Sequence, residues 1–169
     1  NGKSTTCKII EKILKTAKFN VKTVGNIGSP ILFSSRLKKK NIFILEISSY
    51  QLEYSKLIRS KYAALLNISP DHLERHTSMR NYQNIKSKIF LAQKKSDYSY
   101  INSNSKYFKT IKTIFKKKKL KSKLITINKS SGNFLLKKIK NTYFKSKGNI
   151  ENLSFAYKIA KSLKINDKV

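Results

Sequence analysis

Apolar residues recur at helical spacing from the start of the chain. Ile9, Ile10, Ile13, Leu14 and Ala17 follow the polar opening "NGKSTT" and predict an amphipathic helix. Asn20 to Gly25 then reads as a short strand, and "NIGSP" as a turn in which Pro30 is suited to begin a helix. "NIFILEIS", Asn41 to Ser48, is almost continuously apolar, as expected of a strand buried on both faces, and "KYAALLNIS", Lys61 to Ser69, is a second such run. Pro70 suits a helical first turn in "SPDHLERH". A further helix from Ser78 to Gln93 carries Tyr82, Ile85, Ile89 and Phe90 as its apolar stripe. "DYSYIN" and "KLITIN" read as strands separated by a lysine-rich helix, and "ENLSFAYKIAKSLKI" closes the chain as an amphipathic helix. This alternation predicts an α/β fold, a mostly parallel sheet flanked by helices. No internal repeat and no clear linker divides the chain.

Composition narrows the class. A length of 169 residues suffices for one α/β domain with its own core. No apolar run approaches the roughly 20 residues that span a bilayer. The single Cys7 excludes an internal disulfide framework, and two histidines with one cysteine exclude a structural zinc cluster. A reducing, cytoplasmic setting without membrane insertion fits. The net charge of +30, from 38 basic and 8 acidic residues, would ordinarily point to nucleic acid or an anionic surface. Lysine far outnumbers arginine, however, and bidentate recognition of bases and phosphates favours arginine. The abundance of Lys, Asn, Ile, Ser and Tyr is also the mixture an AT-rich coding bias produces. The lysines are spread along the chain, and the local exception, "FKKKKLKSK" from Phe115 to Lys123, reads as a solvated helix end. A basic nucleic-acid-binding module is thus the distant alternative, and no nucleic-acid partner is expected.

The candidate chemistry begins at the first helix. Gly2-Lys3-Ser4-Thr5 entering a helix reads as the end of a phosphate-binding loop, because the helix's first amides and positive dipole end face an anion there. Gly-Lys-Ser alone also recurs by chance, and the signature's upstream glycine and strand would precede Asn1. Open α/β sheets bind ligands at the carboxyl ends of their strands. Glu46 ends the buried "IFIL" run, where an unpaired carboxylate is costly and calls for a cation. Asn26 follows the preceding strand, Asp71 and His72 follow the next, and Lys86 lies one helical turn after Tyr82. Taken singly, Asp71 would serve as a helix cap and His72 as a surface residue. Jointly the set suits a nucleotide with magnesium.

These residues also form motifs. "NGKSTT", "GNIGSP" at Gly25 to Pro30, "LEISSYQLE" at Leu45 to Glu53, "NISPDHLERH" at Asn67 to His76 and "SMRNYQNIKSKIF" at Ser78 to Phe90 stand in one order. In that order they resemble the Mur ligases of peptidoglycan synthesis, and within them the branch that adds D-glutamate to UDP-N-acetylmuramoyl-L-alanine. Sister ligases and folylpolyglutamate synthase share the phosphate loop but differ at "GNIG" and "SSYQLE"; another ligase of this kind is the nearer alternative. The second half matches less well, with Asn149 and Asn152 kept in "GNIENLSFA" but Gly148 where the family has histidine.

The resemblance implies a P-loop-type mononucleotide-binding domain over residues 1–169, truncated at its N-terminus, the uridine-nucleotide-binding and C-terminal domains being absent. It implies ATP, two Mg2+ ions and an acyl-phosphate route to an amide, acting on UDP-N-acetylmuramoyl-L-alanine and D-glutamate in a monomer, with this fragment alone inactive. It assigns Lys3, His72 and Lys86 to catalysis, and Asn1, Gly2, Lys3, Ser4, Thr5 and Asn149 to the nucleotide. Asn26, Ser48 and Gln51 would line the muramoyl path, and Ser4, Glu46, His72 and Lys86 would serve the metals, Lys86 as a carbamate.

Overall fold

The computed structural model describes residues 2–28, 41–56, 58–70 and 73–166. Its elements run α1 (Lys3–Thr16), β1 (Val21–Gly25), β2 (Ile42–Glu46), α2 (Ser49–Tyr54), β3 (Tyr62–Leu65), α3 (Leu73–His76), α4 (Met79–Ser87), β4 (Tyr98–Asn102), α5 (Phe108–Lys117), β5 (Lys123–Ile127), α6 (Asn133–Leu136) and α7 (Lys147–Ser162). Among the described residues every ladder is parallel, as the apolar strand runs predict: β1 pairs with β2, and β3, β4 and β5 pair in that order. The helix expected at Pro30 lies outside the described residues. Each strand is shorter than its apolar run. The last helix starts four residues before the expected Glu151, at Lys147.

The chain forms two compact units, residues 1–47 with 129–169 and residues 48–128. Sequence gave no hint of this, because the chain passes between units at 47–48 and 128–129 without a Pro- or Gly-rich linker. In the first unit, Leu14 of α1, Val21 of β1, Ile44 of β2 and Ala160 of α7 share one buried cluster. In the second, Ala63 of β3, Ile101 of β4, Tyr82 of α4 and Ile111, Ile114 and Phe115 of α5 form another. Truncating Leu14, 1% exposed, to alanine costs about 2–5 kcal/mol by lost transfer energy plus cavity.

Three helices end alike. Lys18, Lys119 and Lys164 follow α1, α5 and α7 with φ of 62°, 47° and 60°. The next residue in each case returns its amide to a carbonyl five back: Phe19 to Leu14 at 2.9 Å, Leu120 to Phe115 at 3.0 Å and Ile165 to Ala160 at 3.1 Å. This left-handed cap usually takes glycine. Here lysine takes it, at a cost of roughly 1–2 kcal/mol per site, and an apolar residue follows, buried at Ile165, half-buried at Leu120 and exposed at Phe19.

Candidate functional site

In the first unit, α1 begins at Gly2, whose φ of 80° and ψ of −3° place it in the left-handed region. A Cβ there would lie 2.3 Å from Asn152 Oδ1, so both conformation and packing demand glycine. Asn152 of α7 accepts from Thr6 Oγ1 at 3.2 Å and donates to Asn149 Oδ1 at 3.3 Å, while Asn149 donates to the Tyr143 carbonyl at 2.8 Å. The start of α1 is thereby pinned to α7. Lys3, Ser4 and Thr5 occupy its first turn, where backbone amides lack helical acceptors and no acidic side chain competes for them. Asn149, expected at the nucleotide, has both ends of its amide engaged within the protein. Gly148 faces open space, since a Cβ there would meet nothing within 4 Å.

Glu46 ends β2 with its side chain 3% exposed. Asn26 Nδ2 donates to Oε1 at 3.2 Å, and the Asn26 amide donates to the Glu46 carbonyl at 2.9 Å. The second carboxylate oxygen, Oε2, is buried and has no hydrogen-bond partner among the described residues. Gly25 makes this pairing possible: with φ of 102°, a Cβ on it would fall 2.3 Å from the Glu46 carbonyl oxygen. Gly28 is similarly confined, its Cβ position lying 2.3 Å from the Thr23 carbonyl oxygen. Burial, reinforced by the Glu46 carboxylate and partly offset by Lys3, pushes the Cys7 thiol up to about 12. Glu46 and Lys3 thus act on the same region of α1. A buried carboxylate with one oxygen unpartnered fits a cation such as magnesium, which takes few protein ligands and keeps its waters. Among the described residues no cluster of three or more His, Cys, Asp or Glu side chains forms a self-contained metal cage.

In the second unit, Ser48 and Gln51 close a capping box on α2. Ser48 Oγ accepts from the Gln51 amide at 3.2 Å, and Gln51 Oε1 accepts from the Ser48 amide at 2.9 Å. Sequence reading missed this short helix, although Ser-x-x-Gln is its signature. His76 is fully buried beside it. Its Nε2 shares a hydrogen bond with Ser49 Oγ at 3.1 Å, its ring stacks on Tyr82 at 5.0 Å, and Glu53 Oε2 lies 3.8 Å from Nδ1. Arg75 covers the ring faces of Tyr50 and Tyr54, at 5.0 and 5.4 Å, and donates to Glu53 at 3.3 Å. The ammonium of Lys86 sits 4.8 Å from the centroid of Tyr82, one turn earlier on α4. Its neighbour Lys88 donates to the Glu53 carbonyl at 2.7 Å. Asn1, Asp71 and His72 lie outside the described residues. His76 and Asn152 are the residues the sequence reading left without a role. Asn149 and Asn152, three apart, share a helix face, which is the available signal for the latter.

The whole of this framework matches one family. The model for the Mur ligase middle domain aligns with residues 1–166. The chain belongs to the Mur ligase family. A UDP-N-acetylmuramoylalanine–D-glutamate ligase of Rickettsia felis is 34% identical over 182 residues, covering 99% of this chain and 40% of that protein. The ligases of the same name from Rickettsia bellii and Elusimicrobium minutum are 42% and 43% identical, covering 70% and 63% of this chain. The chain spans 25% to 40% of the length of these relatives. A solved structure of UDP-N-acetylmuramoyl-L-alanyl-D-glutamate–2,6-diaminopimelate ligase superposes with a TM-score of 0.72 at 18% identity, covering 98% of this chain and 42% of that one, and shows the shared fold. Within this chain, Gly2 to Thr5 open α1 and Glu46 stands at the carboxyl end of β2.

Proposed function

We propose that this chain is the nucleotide-handling middle domain of a longer cytoplasmic, monomeric ligase that uses ATP to join D-glutamate to UDP-N-acetylmuramoyl-L-alanine. The observation that carries the reading is the unpartnered, buried Oε2 of Glu46. An apolar strand end does not keep half a carboxylate unsatisfied without a compensating ligand.

In this reading the terminal carboxylate of the muramoyl substrate attacks the γ-phosphorus of ATP, ADP leaves, and an acyl phosphate forms. The amine of D-glutamate then adds to the acyl carbon, loses a proton and expels phosphate. Both steps gather negative charge, so positioned cations do most of the work. The first amides of α1 and Lys3 hold the β- and γ-phosphates, Gly2 lets the backbone approach them, and Thr5 contacts a phosphate oxygen. Ser4 and Glu46 hold one magnesium, with Asn26 orienting the carboxylate. Magnesium, when bound, neutralises charge developing on the phosphoryl oxygens. His72 and Lys86 serve a second ion, Asn26, Ser48 and Gln51 line the muramoyl path, and Asn149 lies on the adenine side.

An ammonium has no lone pair for a metal, so Lys86 acts as its carbamate, formed when the neutral amine adds to carbon dioxide and sheds a proton. Lys86→Ala is expected to lower turnover, with partial rescue by acetate or formate. A Lys86→Ala enzyme as active as the parent, or rescue confined to Lys88→Ala, would show the wrong lysine had been chosen.

The deciding experiment measures phosphate release by the full-length protein carrying this sequence. Release should require both UDP-N-acetylmuramoyl-L-alanine and D-glutamate. Dependence on diaminopimelate and the dipeptide-bearing nucleotide would instead assign a sister ligase. The 169-residue chain alone should give no D-glutamate-dependent release, because it spans 25% to 40% of the three D-glutamate ligases named above and ligation needs the proximity of both substrates.

A further inference from the structure

The end of the second unit where its strands begin carries a one-sided charge. Arg59 and Lys61 lead into β3, Lys94 and Lys95 into β4, and the run from Lys116 to Lys123 between α5 and β5 contributes six lysines, all of these basic residues being exposed. Their backbones are knit together: the Tyr98 amide donates to the Lys61 carbonyl and the Lys123 amide to the Asp97 carbonyl, each at 2.8 Å. Beneath them the Gln93 amide donates to the Ser60 and Tyr98 carbonyls, each at 2.9 Å. The carboxylate at this end, Asp97, is 1% exposed and bonded to Arg59 and the Lys94 amide. The unit's other described carboxylates, Glu53 and Glu74, belong to α2 and α3. Among the described residues, no exposed acid stands beside these basic residues at this end. Complementing the dipole of α5 accounts for the last-turn lysines, but not for Lys61, Lys94 and Lys95 on other segments.

The aromatic rings here narrow the partner. Tyr62 and Tyr98 stack on each other with centroids 5.5 Å apart, and Lys61 and Lys123 stand over them at 5.9 and 5.3 Å. Bases of a single strand need free ring faces, and these are occupied. Lysine ammonium groups are hydrated point charges without the planar fork that reads base edges. Leu120, the apolar residue inside the run, packs into the core and offers no wedge for insertion.

We propose that this end docks peripherally on an anionic phospholipid surface, its lysines facing headgroup phosphates. Each lysine near such a surface is worth about a fivefold change in partitioning, and the attraction is salt-sensitive.

The test is sedimentation of the full chain with vesicles of phosphatidylglycerol and phosphatidylcholine, against phosphatidylcholine alone. Binding is expected to the anionic vesicles only, and to weaken strongly between about 0.1 and 0.5 M salt. Replacing Lys117, Lys118 and Lys119 together by glutamine should lower partitioning by about tenfold to a hundredfold. The matched triple Lys106→Gln, Lys109→Gln, Lys112→Gln, at the other end of α5, should leave it nearly unchanged. If the first variant fails to fold by circular dichroism, Lys94→Gln with Lys95→Gln must show the loss instead. Equal losses in the two triples would reduce the effect to net charge and overturn the proposal. So would absent vesicle binding, or tighter binding to duplex DNA at the same salt.

Discussion

Asp97, just before β4, and Glu46, at the end of β2, are both almost wholly withdrawn from solvent, at 1% and 3% exposure, yet their surroundings differ. Asp97 accepts from the Lys94 amide at 2.8 Å, from Arg59 Nε and Nη2 at 3.2 and 3.3 Å, and from Ser96 at 3.4 Å. Burial alone would raise its pKa, but the Lys94 amide and the Arg59 guanidinium outweigh that and leave it lowered. Among the described residues, Glu46 has the single carboxylate bond from Asn26 and one oxygen with no partner. A saturated carboxylate stabilises the scaffold in which it sits, whereas a half-satisfied one keeps a place for something from outside. Position on the strand agrees, because the ligand side of a parallel sheet is its carboxyl end.

The contrast can be broken first at Glu46. Glu46→Gln in the full-length enzyme should cut magnesium-dependent turnover by about a hundredfold or more, with a melting temperature near the parent's. Steady-state phosphate release and a thermal melt read both, and unchanged turnover would remove Glu46 from the site. The reverse pattern belongs to Asp97. Asp97→Asn should cost about 1–3 kcal/mol in urea unfolding and leave KM for ATP unaltered; a loss of turnover without a loss of stability would undo the distinction. Ser48→Ala sharpens it further. Its hydroxyl is engaged in the capping box of α2, so the substitution should cost about 1 kcal/mol. A purely kinetic effect would show that a satisfied side chain can still belong to the muramoyl path.

The smallest effect is in pH. The folded-state pKa of Asp97 lies below its unfolded value, so its contribution is present above about pH 4 and is lost as pH falls through the folded value. The urea midpoint of the parent should therefore fall more steeply below pH 4 than that of Asp97→Asn. Parallel curves would mean that Asp97 gains nothing from Arg59 and Lys94.

The same physics explains what was legible in the sequence. The strands announced themselves because strands of a parallel sheet are apolar on both faces, and α1 because Ile10, Ile13 and Leu14 fall on one stripe. Glu46 stood out as a charge at the end of an apolar run, and one of its two carboxylate oxygens has no partner among the described residues. What escaped depends on partners distant in sequence. Asn152 reaches Thr6 across 146 positions, and only its spacing from Asn149 marks it locally. Ser48 and Gln51 resembled ligand contacts by motif, while their first observable partners are each other. The two units escaped because the first is assembled from both ends of the chain.

Whether Glu46 holds a metal with the nucleotide decides the role of this strand end. Calorimetric titration of ATP into the full-length protein, with and without magnesium, measures this directly in the parent and in Glu46→Gln. The expected result is that magnesium tightens ATP binding in the parent and has little effect in the variant, whose circular dichroism is unchanged. The same magnesium dependence in both proteins would show that Glu46 holds no metal with the nucleotide.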